Sequence, residues 1–232
     1  FLSLPEIQDA DLPDIITTEI ISQKSNGAKM RFIISNKSAD TISEIKVQNI
    51  DCIIESQNYS NGVTEVIAEI NNPILYVSNY SVESISTKNQ FNMIFTRNFK
   101  SGERNIAVDF YREINNIDDW YGMNNSTTEN YRLMQDLDFK NNQNKICIGK
   151  QLTGKIDGNN HTISNIQKPY VFYYIKGSLK NLNIVNVKFA TNTTYMGIIS
   201  NANSAEIDNI NVKNRRCPDP DQDGSRGRRG QP

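Results

Sequence analysis

Side chains able to do chemistry are few in this sequence. It holds one histidine, His161, in the run Asp157-Gly158-Asn159-Asn160-His161-Thr162. A proteolytic zinc held by H-E-x-x-H needs two histidines one helical turn apart with a general-base glutamate between them, so that motif is excluded by count. A nucleophile–histidine–acid triad on His161 has no G-x-S-x-G elbow beside it; a turn histidine bonded to nearby backbone is the expected role. Three carboxylates come closer to a mechanism. Asp136, Asp138 and Asp157 could converge near one end of the solenoid, and two carboxyls about 5–10 Å apart suffice for glycoside hydrolysis. Yet Asp136 and Asp138 flank Leu137 on one strand face, which reads as a solvated or turn-capping edge, and Asp157 before Gly158 reads as a turn pair. The run Asp219-Pro-Asp221-Gln-Asp223-Gly224 matches the first half of a calcium loop. Its twelfth position is Gly230 rather than a bidentate glutamate, and Arg226, Arg228 and Arg229 would repel a cation. The sequence therefore predicts no catalytic, metal or cofactor site in this chain.

The elements that would position these residues read as strands. Short Ile/Val/Phe runs alternate with polar residues, as half-exposed strands require. From about Ile15 to Arg112 they recur between turn signals: Lys29–Ser35 after Asn26-Gly27, Ser43–Ile54, and Thr64–Ile70 after Asn61-Gly62. Further runs lie at Ile74–Val77, Phe91–Phe95 and Asn105–Tyr111. Asn-Gly marks tight hairpins because both central residues need positive φ. About seven short strands with this spacing predict an immunoglobulin-like antiparallel sandwich over 14–114. Residues 1–13 read as a linker.

The text then changes. Residues 115–214 hold 20 asparagines, against 12 in the first 114. A short helix is expected at Ile117–Met123 and a strand within Asn130–Phe139. Three tetrads follow, Ile163-Ser-Asn165-Ile166, Leu179-Lys-Asn181-Leu182 and Ile207-Asp-Asn209-Ile210, each leading into apolar text. Repeats of about 22 residues with one apolar strand apiece cannot bury their inner faces alone and must stack. That predicts a parallel β-helix over 115–214, with Ile166, Leu182 and Ile210 in its core. Asn165, Asn181 and Asn209 would form one ladder of stacked amides, and Gly158 would make a turn. Tyr173 and Tyr174, in the cluster after Pro169, are the candidate binding surface; the bland alternative lets Val171, Phe172 and Ile175 fill the core while the two tyrosines cover an edge.

These residues resemble a bacterial family. The run from Asn130 to Phe139, followed by L-T-G-K-I-D-G-N-N-H-T-I-S-N-I (152–166), is similar to a strand ending in D-I-D-F before F-x-G-x-F-D-G-N-G-H-x-I-x-N-L. Residues 196–212 resemble a GLUG-type repeat. Such rungs belong to Gram-positive surface proteins, including the N-terminal region of IgA1-protease-type zinc metalloproteases. The resemblance covers about 117–214; Ile156 replaces the usual aromatic, Asn160 a glycine, and Ser200 a second glycine.

Partners are bounded by charge and hydropathy. With 25 Lys and Arg against 26 Asp and Glu, a net charge of −1 gives no electrostatic case for nucleic acid. No stretch approaches the roughly 20 apolar residues of a membrane span. Five arginines and three aspartates give residues 215–232 a net of +2, leaving −3 elsewhere; this segment reads as a disordered tail or appended extension. Cys52, Cys147 and Cys217 have no C-x-x-C spacing and fit neither a disulfide scaffold nor a zinc site. The chain thus reads as a non-catalytic extracellular spacer or substrate-positioning module from the cell surface or wall, with host protein or glycan as partner. What the resemblance implies is a parent zinc metalloprotease, zinc lying in a domain elsewhere. The alternatives are an adhesin stalk and, more weakly, a carbohydrate-active β-helix enzyme. An uncapped end after Asn214 would leave a parallel edge open to self-association.

Overall fold

The computed structural model describes residues 12–188 and 197–216. Most of the expected linker, the calcium-like run and Cys217 lie outside the described residues. The chain divides into two compact units between Glu113 and Ile114. Both are built of strands.

The first unit contains β1 (Asp14–Lys24), β2 (Gly27–Ser35), β3 (Thr41–Val47), β4 (Ile50–Asp51), β5 (Ile53–Ser60), β6 (Val63–Asn71), β7 (Asn79–Lys88), β8 (Ile94–Asn98) and β9 (Asn105–Ala107). One sheet runs β1-β2-β6-β5 and another β4-β3-β7-β8, with β9 also on β7. The pairs β1–β2, β2–β6, β5–β6, β3–β4, β3–β7, β7–β8 and β7–β9 are antiparallel. Strict alternation buries Met30, Phe32 and Ile34 from β2 and Val66, Ala68 and Ile70 from β6. They share one core with Ile42, Ile45 and Val47 of β3 and Tyr80, Val82 and Ile85 of β7. The β5–β6 hairpin turns on Asn61 (φ 49°) and Gly62 (φ 80°), the geometry that Asn-Gly favours. At the other Asn-Gly, the β1–β2 loop is Ser25-Asn26, and Gly27 already pairs with Asn71. A Cβ on Gly27 would sit 2.7 Å from Asn71 Oδ1 and 3.2 Å from Ile70 O.

The second unit is a parallel β-solenoid of about three turns. It opens at Ile114, the last residue of β10 (Arg112–Ile114), and continues into α1 (Ile117–Gly122). Asn116 starts the helix, its side chain accepting from the amides of Asp118 and Asp119. Trp120, fully buried, stacks near Phe139 and Phe172 and donates from Nε1 to Ile146 O at 2.9 Å. The rungs then wind through β11 (Tyr131–Leu133), β12 (Leu137–Asp138), β13 (Ile148–Leu152), β14 (Lys155–Asp157), β15 (Thr162–Ile166), β16 (Tyr170–Ile175), β17 (Ser178–Lys188), β18 (Gly197–Ala202) and β19 (Glu206–Arg216). Parallel pairing stacks them in three columns. The first is β11, β14, the start of β17 and the start of β19. The second is β12, β15 and the later halves of β17 and β19. β13, β16 and β18 form the third. Leu133, Ile156, Ile163, Ile166, Phe172, Ile175, Leu179, Leu182 and Ile184 point inward to one core.

Candidate functional site

The asparagines make two ladders, not one. β17 and β19 each turn a corner twice, at Asn181 and Asn186 and at Asn209 and Asn214, all with φ between 50° and 57°. Asparagine tolerates this left-handed region better than other non-glycine residues. At the first corner Asn209 Nδ2 donates to Asn181 Oδ1 at 2.9 Å, and Asn181 Nδ2 to Asp157 Oδ1 at 3.1 Å. At the second, Asn214 Nδ2 donates to Asn186 Oδ1 (3.2 Å), Asn186 Nδ2 to Asn165 Oδ1 (3.3 Å) and Asn165 Nδ2 to Asp138 Oδ1 (2.8 Å).

The sequence reading placed Asn165 on the ladder of Asn181 and Asn209, and the register corrects it. Ile166 pairs with Val187, whereas Leu182 pairs with Ile210. The uneven tetrad spacing came from comparing two different corners. Along the ladders the steps are 21 and 28 residues at the second corner and 28 at the first. Ile166 and Leu182 are fully buried as expected, while Ile210 is half-buried and packed against the same core. Asn186 and Asn214 escaped the sequence reading. Their signal was the spacing of five that recurs in 181/186 and 209/214.

Gly158 serves packing rather than a left-handed turn. Its φ is not positive, and an added Cβ would lie 2.5 Å from Asn181 O and 2.6 Å from Leu182 Cα. Gly158 still opens the turn, accepting from the His161 amide, and Asn159 and Asn160, with φ of 50° and 62°, are its central residues. The column interface has a second close approach at Gly154 and Gly177. A Cβ on Gly177 would meet Gly154 O at 1.9 Å.

Each carboxylate proposed for chemistry is occupied by this scaffold. Asp157 accepts from the amide of Asn159 and from Asn181, and pairs with Arg132 Nε at 3.0 Å. Asp138 accepts from Asn165 and from the Lys140 amide, and these bonds hold its carboxyl below the ordinary value of 3.8. Asp136 accepts from the Thr162 amide at 2.8 Å and lies 3.2 Å from His161 Nδ1. The histidine ring thus contacts a carboxylate rather than backbone; its amide closes the turn on Gly158 O. Asp138 and Asp157 begin different ladders. Asp136 and Asp138 line a cleft of about 380 Å³ with Asp118 and Lys145, and Asp157 is not part of it.

On the third column Val171, Phe172 and Ile175 are fully buried, and Tyr173 is 41% exposed with its ring 5.8 Å from that of Tyr170. Tyr174 is half-buried. Cys52 is buried, which pushes its thiol up to about 12 with the Asp51 charge adding to the effect. Cys147 is raised by partial burial and donates to Tyr170 O. Both are free thiols.

The chain matches no family model, no curated protein and no solved structure. Among the described residues no group of three or more His, Cys, Asp or Glu is placed to hold a metal ion. No described helix is long and apolar enough to cross a membrane.

Proposed function

We propose that the chain is a non-catalytic spacer or substrate-positioning module of a bacterial surface protein, the parent being a zinc metalloprotease. The observation that carries this reading is the employment of Asp136, Asp138, Asp157 and His161 in holding rungs together. A hydrolytic pair needs at least one carboxyl free to accept and release a proton. Here Asp138 and Asp157 anchor ladders, and Asp136 caps a rung. The parent follows from the resemblance of residues 130–166 and 196–212 to surface-protein rungs. An extracellular, cell-wall location and a host protein as partner follow with it.

The first unit supports the same setting, read as an immunoglobulin-like spacer. Its sheets β1-β2-β6-β5 and β4-β3-β7-β8 follow the order of an immunoglobulin sandwich, ABED against CFG with an added strand beside C. The Tyr80 hydroxyl, near the start of β7, donates to Leu75 O just upstream, as a tyrosine corner does. Val82 occupies the position where antibody domains carry their second cysteine.

The test is the reading frame beyond residue 214 in the parent gene. An H-E-x-x-H helix supports the protease. Deleting residues 115–214 from that protein should then raise KM for a protein substrate while leaving kcat on a short peptide unchanged. Equal kcat and KM on both substrates after deletion would remove the positioning role. Further rungs and a wall anchor without that motif would instead favour an adhesin stalk. The exposed Tyr173 beside Tyr170 is the observation favouring that alternative. Substituting Tyr173 and Tyr174 by serine should then abolish binding to a host glycan or protein at unchanged stability.

A further inference from the structure

The third column of the solenoid differs from the other two in charge. Its strands β13, β16 and β18 with their flanks, residues 146–153, 167–177 and 197–204, hold Lys150, Lys168 and Lys176 and no acidic residue. The first two columns carry Asp138, Asp157, Glu206 and Asp208 on β12, β14 and β19. Among the described residues no ion pair engages the three lysines of the third column. That face is therefore positive, although the chain as a whole is not.

The same face carries an aromatic ring with room beside it. Tyr173 is 41% exposed, its ring 5.8 Å from that of Tyr170. Ile148 pairs with Phe172 and Gln151 with Tyr174, so Gly149 and Lys150 together oppose Tyr173 in a bulge. A Cβ added to Gly149 would meet nothing within 4 Å, so the space beside the bulge is open. Lys150 and Gln151 are exposed with it. Tyr174, half-buried, stands in register between Gln151 on the preceding rung and Asn201 on the next. A ring, two amides and uncompensated ammonium groups thus share one face of a stiff sheet.

We propose that the outer face of β13 and β16 binds an acidic glycan, one that carries carboxylate or sulfate groups. A pyranose offers an apolar C–H face, which packs on the Tyr173 ring in the space beside Gly149. Its hydroxyls both donate and accept, as the amides of Gln151 and Asn201 do. Its acid groups pair with Lys150 and Lys176. A nucleic acid bears a phosphate on every residue and draws its affinity from many cations at once. Three lysines in a chain of net charge −1 suit a glycan, whose acid groups are sparser. This inference rests on the alternative reading, in which Tyr173 marks a binding surface, and names the ligand of that surface. It does not depend on the parent being a protease.

The test titrates the whole chain calorimetrically with two acidic probes, a hyaluronan oligosaccharide bearing carboxylates alone and a heparin oligosaccharide bearing sulfates as well. A neutral cello-oligosaccharide and a single-stranded thymidine oligonucleotide are the comparisons. At least one acidic glycan should bind saturably, more weakly as salt rises, and which one binds tells carboxylate from sulfate recognition. Tyr173→Ala should weaken binding about tenfold and Tyr173→Phe should preserve it, because the ring makes the contact. Gly149→Leu should abolish binding at an unchanged urea midpoint, since its side chain enters open space rather than the fold. Failure of both acidic glycans to bind up to about 1 mM would overturn the assignment. Equal binding by Tyr173→Ala, or equally tight binding of the neutral glycan or the oligonucleotide, would do the same. A chain that captures a host protein through Tyr173 yet binds neither acidic glycan would keep the adhesin reading and overturn this one.

Discussion

A corner asparagine does three things in this solenoid, and its backbone role can be separated from its two hydrogen bonds. It adopts a left-handed φ, donates toward the carboxylate end and accepts from the next rung. Asn181 has φ 54°, gives to Asp157 and receives from Asn209. Alanine in its place loses both hydrogen bonds and adds left-handed strain, for a cost of about 2–3 kcal/mol. Glycine relieves the strain and loses only the bonds, so Asn181→Gly should fall between wild type and Asn181→Ala in urea unfolding. Gly158→Ala should be worse than either, because a Cβ 2.5 Å from Asn181 O forces backbone to move. One ladder base, Asp138, titrates away from its ordinary value. The Asn165 amide and the Lys140 N–H hold the Asp138 carboxyl down, so its native pKa lies below the unfolded one. The resulting stability is fully present above the ordinary value of 3.8 and is lost as pH falls through the depressed native value. Asp138→Asn should flatten the fall in the urea midpoint between about pH 5 and pH 2; an unchanged slope would mean the anchor contributes nothing.

At the scale of elements, position in the stack outweighs residue type. Leu182 and Ile210 occupy the same register place on adjacent rungs, one fully buried and the other only half-buried. Leu182→Ala should cost about 3 kcal/mol, within the range for a buried leucine, and Ile210→Ala about 1 kcal/mol because solvent already reaches it. Equal costs would mean that something covers the β19 face. The same contrast explains what the sequence made legible. Strands such as β2 and β6 showed because their inward residues are almost all apolar, Thr64 being the polar exception. β7 was passed over, although it is central to its sheet, because it buries Ser84, Ser86 and Thr87 as well as Tyr80, Val82 and Ile85. The Ile74–Val77 run, apolar enough to suggest a strand, belongs to none. The run Ser43–Ile54 is broken where Gln48 and Asn49 take φ of 44° and 65°, a turn that no glycine announced. In the solenoid the tetrads betrayed the stacking but not the register, since two corners of one rung carry the same Asn-apolar signature. The occupation of the three carboxylates was invisible for a related reason. Their partners lie 24 to 27 residues away, one rung along, and nothing local marks them.

At the scale of the whole molecule the described residues form two hydrophobic cores that share no residue, one in each unit. Each core buries its own strands, so each unit should unfold as its own cooperative transition. The cysteines provide a private reporter for each. Cys52 belongs to the first core, its thiol pushed up to about 12, and Cys147 to the second unit with its thiol also raised by burial. A thiol raised in this way carries almost no thiolate at neutral pH, and the thiolate is the reactive form. In a Cys217→Ser variant, which leaves these two thiols alone, alkylation in native buffer should therefore be slow at both sites. Rising urea should then expose them at two different midpoints, read by mass spectrometry of the Cys52 and Cys147 peptides. Asn181→Ala should move only the Cys147 midpoint, because its ladder lies wholly in the second unit. A shift of both midpoints together would show that the units unfold as one, and that stability gained rung by rung in the solenoid also protects the paired sheets before it.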